Sequence, residues 1–161
     1  MNGLARLALA GFLSLGTLAC ASTRRNAVDP ADAVAGAAEL DRRFVEAFNR
    51  GDVEAVAACY AQGPDTLLQP PHPPLVKGWE GVRAHFRGMF AGMKGAHLVI
   101  TDHVNVPEGD VVIGSGSWTL TFEGSPTPGP AMHGVLFEVK GVRDGKWVYL
   151  ADCAVVPLEA E

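Results

Sequence analysis

Two residues near the C-terminus have the type and placement for acid–base chemistry. His133 and Asp152 fall in two runs of alternating character, His133 to Lys140 and Lys146 to Val155, joined by Asp144-Gly145. An Asp-Gly pair between such runs predicts a two-residue hairpin turn. In that register Arg143 faces Lys146, Phe137 faces Asp152 and Val135 faces Ala154. His133, Val135, Phe137, Val148, Leu150 and Asp152 then share one face, apolar except for the two titratable groups. A carboxyl or imidazole aimed into an apolar space is a candidate acid or base, because burial disfavours its charged form. The alternative for each is a partnered residue of the core or rim. His133 stands about four residues, roughly 13 Å at strand rise, from the partner of Asp152, so the two form no dyad. His85 lies beside a helical stripe of Val82, Phe86 and Met89 and touches the edge of the same space as an assisting group.

Other chemistries find less support. His72 sits in a proline loop, and His97 and His103 fall on the polar side of a strand. No two histidines have zinc-ligand spacing, and Cys59 and Cys153 have no ligand-type neighbours in sequence, so no metal and no cofactor is expected. Ser115 and Ser117 flank Gly116 without a nucleophile-elbow pattern. Two readings stand for Cys59 and Cys153: buried free thiols acting as small hydrophobes, or a disulfide formed in an oxidising compartment.

The elements that must position these groups follow from periodicity. Ala33, Ala37, Leu40, Phe44, Ala47 and Phe48 form one helical stripe over Ala33 to Asn49. Asn49-Arg50-Gly51-Asp52 stops it: Gly51 suits a left-handed C′ position and Asp52 an N-cap. A short helix from Val53 to about Ala61 offers Val56, Cys59 and Tyr60 for burial. Gln69-Pro-Pro-His-Pro-Pro-Leu75 is a stiff extended loop. A third helix runs from Trp79 to Met93. Beyond Lys94-Gly95 the period becomes two, in strands at about 98–106, 112–122, 133–140 and 146–155. Three helices followed by a four-stranded antiparallel meander make an α+β domain, whose sheet curls around the helices and leaves a cavity. Phe44, Phe48, Tyr60, Gln69, His85, Phe86, Met89, Trp118, Leu120, Phe122, Val135 and Phe137 are its expected pocket lining.

The N-terminus has charge at Met1 and Arg6, an apolar run from Leu7 to Leu18, then small residues, which is the layout of a signal peptide. The run is shorter than the ~20 residues of a membrane span. Ala19-Cys20-Ala21 fits ordinary signal peptidase, whereas Leu18-Ala19-Cys20 resembles the bacterial lipoprotein box, with Cys20 lipidated; Thr17 stands where that box usually has Leu. The expected division is a signal over 1–20, a polar linker over 21–32 and one domain over 33–161. The protein would then lie on the periplasmic side of a bacterial membrane as a lipoprotein, or be soluble in the periplasm or secreted. It touches the membrane only through lipid on Cys20. A net charge of −5 without a basic cluster argues against nucleic-acid binding.

Several motifs in this order resemble the nuclear transport factor 2-like superfamily, in its SnoaL-like and ketosteroid-isomerase-like branch. They are Phe44-x-x-Ala47-Phe48-Asn49-x-Gly51-Asp52, Tyr60-Ala61 before a short strand near Thr66–Gln69, Gly78-Trp79-Glu80-Gly81, and Asp144-Gly145-Lys146-Trp147. The resemblance spans about Ala33 to Val156. It implies a cone-shaped fold, N-terminal helices packed on a curved antiparallel sheet, an apolar pocket between them, and often a homodimer. It implies no single activity, because this fold hosts isomerases, cyclases, dehydratases and binders.

By the same resemblance, the tyrosine of ketosteroid isomerases corresponds to Phe44, their catalytic carboxylate to Gln69, and their second acid to a position between His133 and Val135. Phe donates no hydrogen bond and Gln is no general base, so steroid-type enolisation is not expected.

The leading expectation is therefore a binder of a small, mostly apolar molecule with no assigned reaction. The enzyme alternative is an isomerase, cyclase or dehydratase using Asp152, with His133 or His85 assisting. The third is a dimerisation scaffold using a sheet face that includes Trp147 and Tyr149. Whether Asp152 faces the cavity with a raised pKa separates the first two, and a cavity filled by Phe44, Phe48 and Trp118 would favour the third.

Overall fold

A computed structural model describes residues 29–72, 74–125 and 132–157. Cys20 and the expected signal lie outside the described residues, as does most of the expected linker. Helix α1 spans Pro30–Asn49, beginning before Ala33 because Asp29 caps it. The Asp29 carboxylate accepts from the Ala31 N–H at 2.8 Å, and Pro30 has no N–H to leave orphaned in the first turn. Gly51 takes a left-handed φ of 65°. Asp52 then caps α2 (Val53–Ala57), accepting from the Ala55 N–H at 3.0 Å. This helix ends before Ala61 because the chain peels off to join the sheet. The Ala61 N–H donates to the Tyr149 carbonyl and the Tyr149 N–H to the Cys59 carbonyl, at 2.9 and 2.8 Å.

Two short strands, β1 (Leu67–Gln69) and β2 (Val76–Lys77), bracket the proline loop. Helix α3 (Trp79–Gly92) follows, then β3 (His97–Glu108), β4 (Val111–Thr121), β5 (Met132–Arg143) and β6 (Lys146–Val155). The strands form one mixed sheet in the order β2-β1-β6-β5-β4-β3. The expected meander is its larger part. The sheet is extended by β1, which runs parallel to β6, and by β2 beyond it. The helices cover one face, where Phe44 meets Tyr149 edge-on at 5.4 Å and Phe48 meets Phe90 at 5.1 Å. Trp147 lies over Gly36, where a Cβ would come within 2.1 Å of its indole nitrogen. Among the described residues no helix is long and apolar enough to cross a membrane.

Two bulges decide which side chains face inward. Beyond the expected Arg143–Lys146 turn, Lys140 pairs with Tyr149 but Val139 pairs with Ala151, leaving Leu150 as an extra residue. Side chains alternate across a strand, so one extra residue exchanges the faces of everything after it. Glu138 thus lies opposite Asp152 and Leu136 opposite Ala154, displacing the expected Phe137–Asp152 and Val135–Ala154 pairs. In β3 a second irregularity between Thr101 and Val104 holds Asp102 at φ 52°. Leu98 and Ile100 face the helices before it, and His103 and Asn105 turn inward after it.

Candidate functional site

Between the helices and the concave face of the sheet lies a cavity of about 210 Å³. Helix α1 contributes Phe44 and Phe48, α3 contributes His85, Phe86 and Met89, and β4 contributes Trp118 and Leu120, all expected as pocket residues. Pro70, Pro71 and His72 of the proline loop line it too. Its wall is apolar apart from Asp152, Glu138 and the two histidines.

Asp152 is held from behind by Tyr60, whose hydroxyl donates to Asp152 Oδ2 at 2.6 Å. Tyr60 itself is buried beneath the carboxyl rather than in the wall. Burial raises the Asp152 pKa to about 7, aided by the negative charge of Glu138; the Tyr60 hydrogen bond and Lys140 oppose the rise. Desolvation likewise holds the His85 imidazole below its ordinary value, so it is neutral at pH 7.

Several expected pocket residues stand elsewhere. Strand β5 alternates without a break and the Leu150 bulge turns Asp152 to the face of Glu138, so His133, Val135 and Phe137 are on the outer face; Val135 is 44% and Phe137 55% exposed. His133 is exposed as well and cannot assist Asp152. Gln69 is half-buried outside the wall, its amide donating to the Pro70 carbonyl at 2.9 Å. Phe122 packs against the core just past β4 without lining the cavity. Cys59 and Cys153 are free thiols. Cys153 follows the inward Asp152 and therefore lies on the outer face opposite Phe137, whereas Cys59 is buried on the helix side, so the expected alternative of a disulfide is not formed. Burial pushes the Cys59 thiol up to about 11, which keeps it protonated and unreactive. Tyr149, expected with Trp147 on a dimerisation face of the sheet, is fully buried, and Trp147 packs on α1.

Next to Asp152 is a buried polar cluster that the sequence reading passed over. Lys140, with no exposed surface, contacts Asp41 Oδ1 at 2.6 Å and Glu138 Oε2 at 2.8 Å. Tyr149 donates to Asp41 Oδ1 at 2.8 Å and Asn105 to Asp41 Oδ2 at 2.9 Å, while Lys140 donates to Asn105 Oδ1 at 2.8 Å. His103 Nε2 lies 3.0 Å from Glu138 Oε2. Among the described residues no buried side-chain polar atom lacks a hydrogen-bond partner. Gly114 makes the room: a Cβ there would fall 2.6 Å from Glu138 Oε2 and 2.7 Å from Lys140 Nζ. Asp41, His103 and Glu138 bring three ligand-type atoms within 4.8 Å. The Lys140 ammonium already sits against both carboxylates, so the cluster supplies its own cation and these residues are not metal ligands here.

A signal for Asp41 was present. It lies four residues after Ala37 and three before Phe44, on the apolar stripe of α1. His103 and Glu138 had no such signal, because only the bulges bring them to Asp152.

The profile of the SnoaL-like domain matches residues 42–150. No curated protein matches the chain significantly. Among solved structures, a candidate dehydratase of the nuclear transport factor 2-like family from Streptomyces avermitilis superposes with a TM-score of 0.72 at 19% identity, over 81% of this chain and 99% of that one. A nuclear transport factor 2-like protein with a cystatin-like fold from Novosphingobium aromaticivorans gives 0.71 at 15% identity, over 81% and 85%. A candidate aromatic ring hydroxylase from the same organism gives 0.67 at 17% identity, over 81% and 93%. At these identities the likeness is one of fold.

Proposed function

Since the chain belongs to the SnoaL-like domain family, whose fold hosts unrelated reactions, we propose that its own cavity residues set its chemistry: acid–base catalysis on a small, mostly apolar molecule, with Asp152 moving the proton. The observation that carries this is the Asp152 carboxyl facing a cavity whose wall is apolar apart from Glu138 and two histidines. A group poised near neutral pH gives and takes protons with little penalty either way. Of the two expected assisting groups His85 is the one in the cavity wall, its ring N–H available to a ligand oxygen. The cavity exceeds the roughly 150 Å³ apolar space that accepts a benzene, so a one- or two-ring ligand suits it. Isomerisation, ring closure and loss of water all need this pair of functions, and one structural neighbour bears a dehydratase name.

The test uses 3-cyclohexen-1-one. Asp152 removes a proton from C2, the His85 N–H stabilises the charge arriving on the carbonyl oxygen, and a proton returns at C4 to give 2-cyclohexen-1-one. Formation of the conjugated enone, followed by its ultraviolet absorbance, is expected of the wild type and not of Asp152→Asn. If naphthalene quenches Trp118 fluorescence while ketones and β-hydroxy ketones all remain unchanged, the protein binds without catalysis.

The outer sheet face supports a homodimer. Val104, Val106, Ile113, Val135, Phe137 and Val155 are exposed on four adjacent strands, a patch of the kind that marks an interaction surface. Phe137→Glu places a charge at its centre and is expected to convert a dimer to a monomer in light-scattering chromatography, with the far-ultraviolet circular dichroism unchanged. A wild type that is monomeric at 100 µM refutes the dimer.

The N-terminal residues support export with lipid on Cys20, where several acyl chains would anchor stably. Wild-type protein from its host is expected in the detergent phase with a mass beginning at Cys20, and Cys20→Ser in the aqueous phase. A mature start at Ser22 would refute lipidation while leaving export intact.

A further inference from the structure

A ligand filling the cavity takes the place of any water there, and with it the direct way from Asp152 to solvent through the cavity. Glu138 and Asp152 are opposite residues of β5 and β6, positions whose Cβ atoms stand about 4.5–5.5 Å apart. Glu138 also lines the cavity. On its other side Glu138 Oε2 is 3.0 Å from His103 Nε2. His103 is 17% exposed and opens on a second, surface cleft with Arg42, Val45 and Glu46. Ile100 belongs to the walls of both the cleft and the cavity. Three features make this arrangement: the bulge that turns His103 inward, the bulge that sets Glu138 opposite Asp152, and glycines 114 and 116, which leave room for the Glu138 carboxylate and the His103 ring.

We propose that His103 is the solvent end of a proton path, reached through Glu138, by which Asp152 exchanges its proton while the cavity is occupied. This rests on Asp152 being the proton-moving group. In the outward direction Asp152 gives its proton to the Glu138 carboxylate. Starting from the ring's Nδ1–H tautomer, Glu138 gives one to His103 Nε2, and the ring releases its Nδ1 proton past Asp41 Oδ2, 3.4 Å away, to solvent in the cleft that Asp41 and His103 both line. One proton leaves, and reloading reverses each step. His103 touches no ligand and is a positioning residue of the path.

The elements packed around the path bring these charged and polar groups to it. Helix α1 supplies Asp41, whose Oδ2 lies 3.4 Å from His103 Nδ1, and at the cleft Arg42 and Glu46. The turn after α2 supplies Cys59 and Tyr60, and α3 supplies His85. Strand β5 supplies Lys140, 3.5 Å from His103 Nε2, and β6 supplies Tyr149, while Cys153 beside Asp152 faces the outer side. Strand β3 adds neutral Asn105; β4 presents glycines, and β1 presents Leu68 and Gln69.

The test follows the Asp152 carboxyl stretch by time-resolved infrared spectroscopy after a pH jump from 8.5 to 5.5, its band identified with Asp152→Asn. Wild type and His103→Gln are each measured empty and with naphthalene bound. The wild-type rate is expected to change less than twofold on adding naphthalene. His103→Gln with naphthalene is expected to be at least tenfold slower than wild type with naphthalene, with the same final protonation. Imidazole in the buffer is expected to restore much of the rate in His103→Gly, which a purely structural role would not allow. A tenfold slowing of the wild type by naphthalene would overturn the proposal, and that arm needs no folded variant. An unchanged rate in His103→Gln would overturn it as well. Because the measurement reads the proton on Asp152, failure to isomerise any ketone would sink the catalytic reading and leave this result standing.

Discussion

Replacing Lys140 by methionine is expected to destabilise the protein by about 3–5 kcal/mol, because it leaves Asp41 and Glu138 buried without their cation. Lys140 has no exposed surface and contacts both carboxylates within 2.8 Å. Methionine fills much of the same volume, so the loss is electrostatic rather than a cavity. The melting temperature should fall by roughly 10–20 °C for a domain of this size. The cost should shrink when the carboxylates go too: Asp41→Asn/Glu138→Gln/Lys140→Met should recover much of the lost stability, since a buried ion pair gains little over neutral partners. A loss below about 1 kcal/mol in the single variant, measured by urea unfolding, would mean that water or protons already neutralise the cluster.

Asp152→Asn should separate activity from stability in opposite directions. Asparagine keeps an oxygen for the Tyr60 hydroxyl but is no base, so turnover of 3-cyclohexen-1-one should fall roughly 100- to 10,000-fold. In the wild type the rate should rise with pH through about 7, as Asp152 loses its proton. Stability should move the other way. From its ordinary value of 3.8 up to about 7, the folded protein keeps a proton on Asp152 that the unfolded chain has released. The wild type is therefore penalised progressively as pH rises through that window, by at most about 4 kcal/mol above it. The open cavity lets solvent screen part of that penalty. Asp152→Asn escapes it and should melt above the wild type at pH 8, with the difference vanishing near pH 4. A variant that melts below the wild type at pH 8 would show that the Asp152 charge is stabilised in the fold.

A protein that holds an unfavourable carboxyl facing an apolar cavity gives up stability at that point. The aromatic contacts of Phe44, Phe48 and Phe86 around it, and the saturated hydrogen bonds of the Lys140 cluster beside it, are where the fold supports that position. The same saturation holds Glu138 and His103 in one arrangement, which a proton path between the cavity and the cleft requires.

Local sequence determined the elements. The α1 stripe, the Gly51-Asp52 junction, the Trp79 helix and the Asp144-Gly145 turn were legible because each depends on residues within a few positions of one another. So was most of the cavity wall, since the inward residues of α1, α3 and β4 follow directly from period. The sequence also marked Asp152 as a carboxyl among apolar neighbours. Tertiary structure decided what stands beside it. The extra residue at Leu150 and the bulge in β3 exchange inside for outside, and neither has a local cue as plain as an Asn-Gly turn. The first turned Asp152 to the inward face that Glu138 and Lys140 share, which leaves His133, Val135 and Phe137 outside; the second turned His103 from the polar side to the buried cluster. Asp41, His103, Glu138, Lys140 and Tyr149 are spread over more than a hundred residues of chain. Apart from Asp41 on the apolar stripe of α1, each reads alone as an ordinary surface or sheet residue. Burying any one of their charges is stable only beside its opposite, because each is neutralised by a group from another element of the fold.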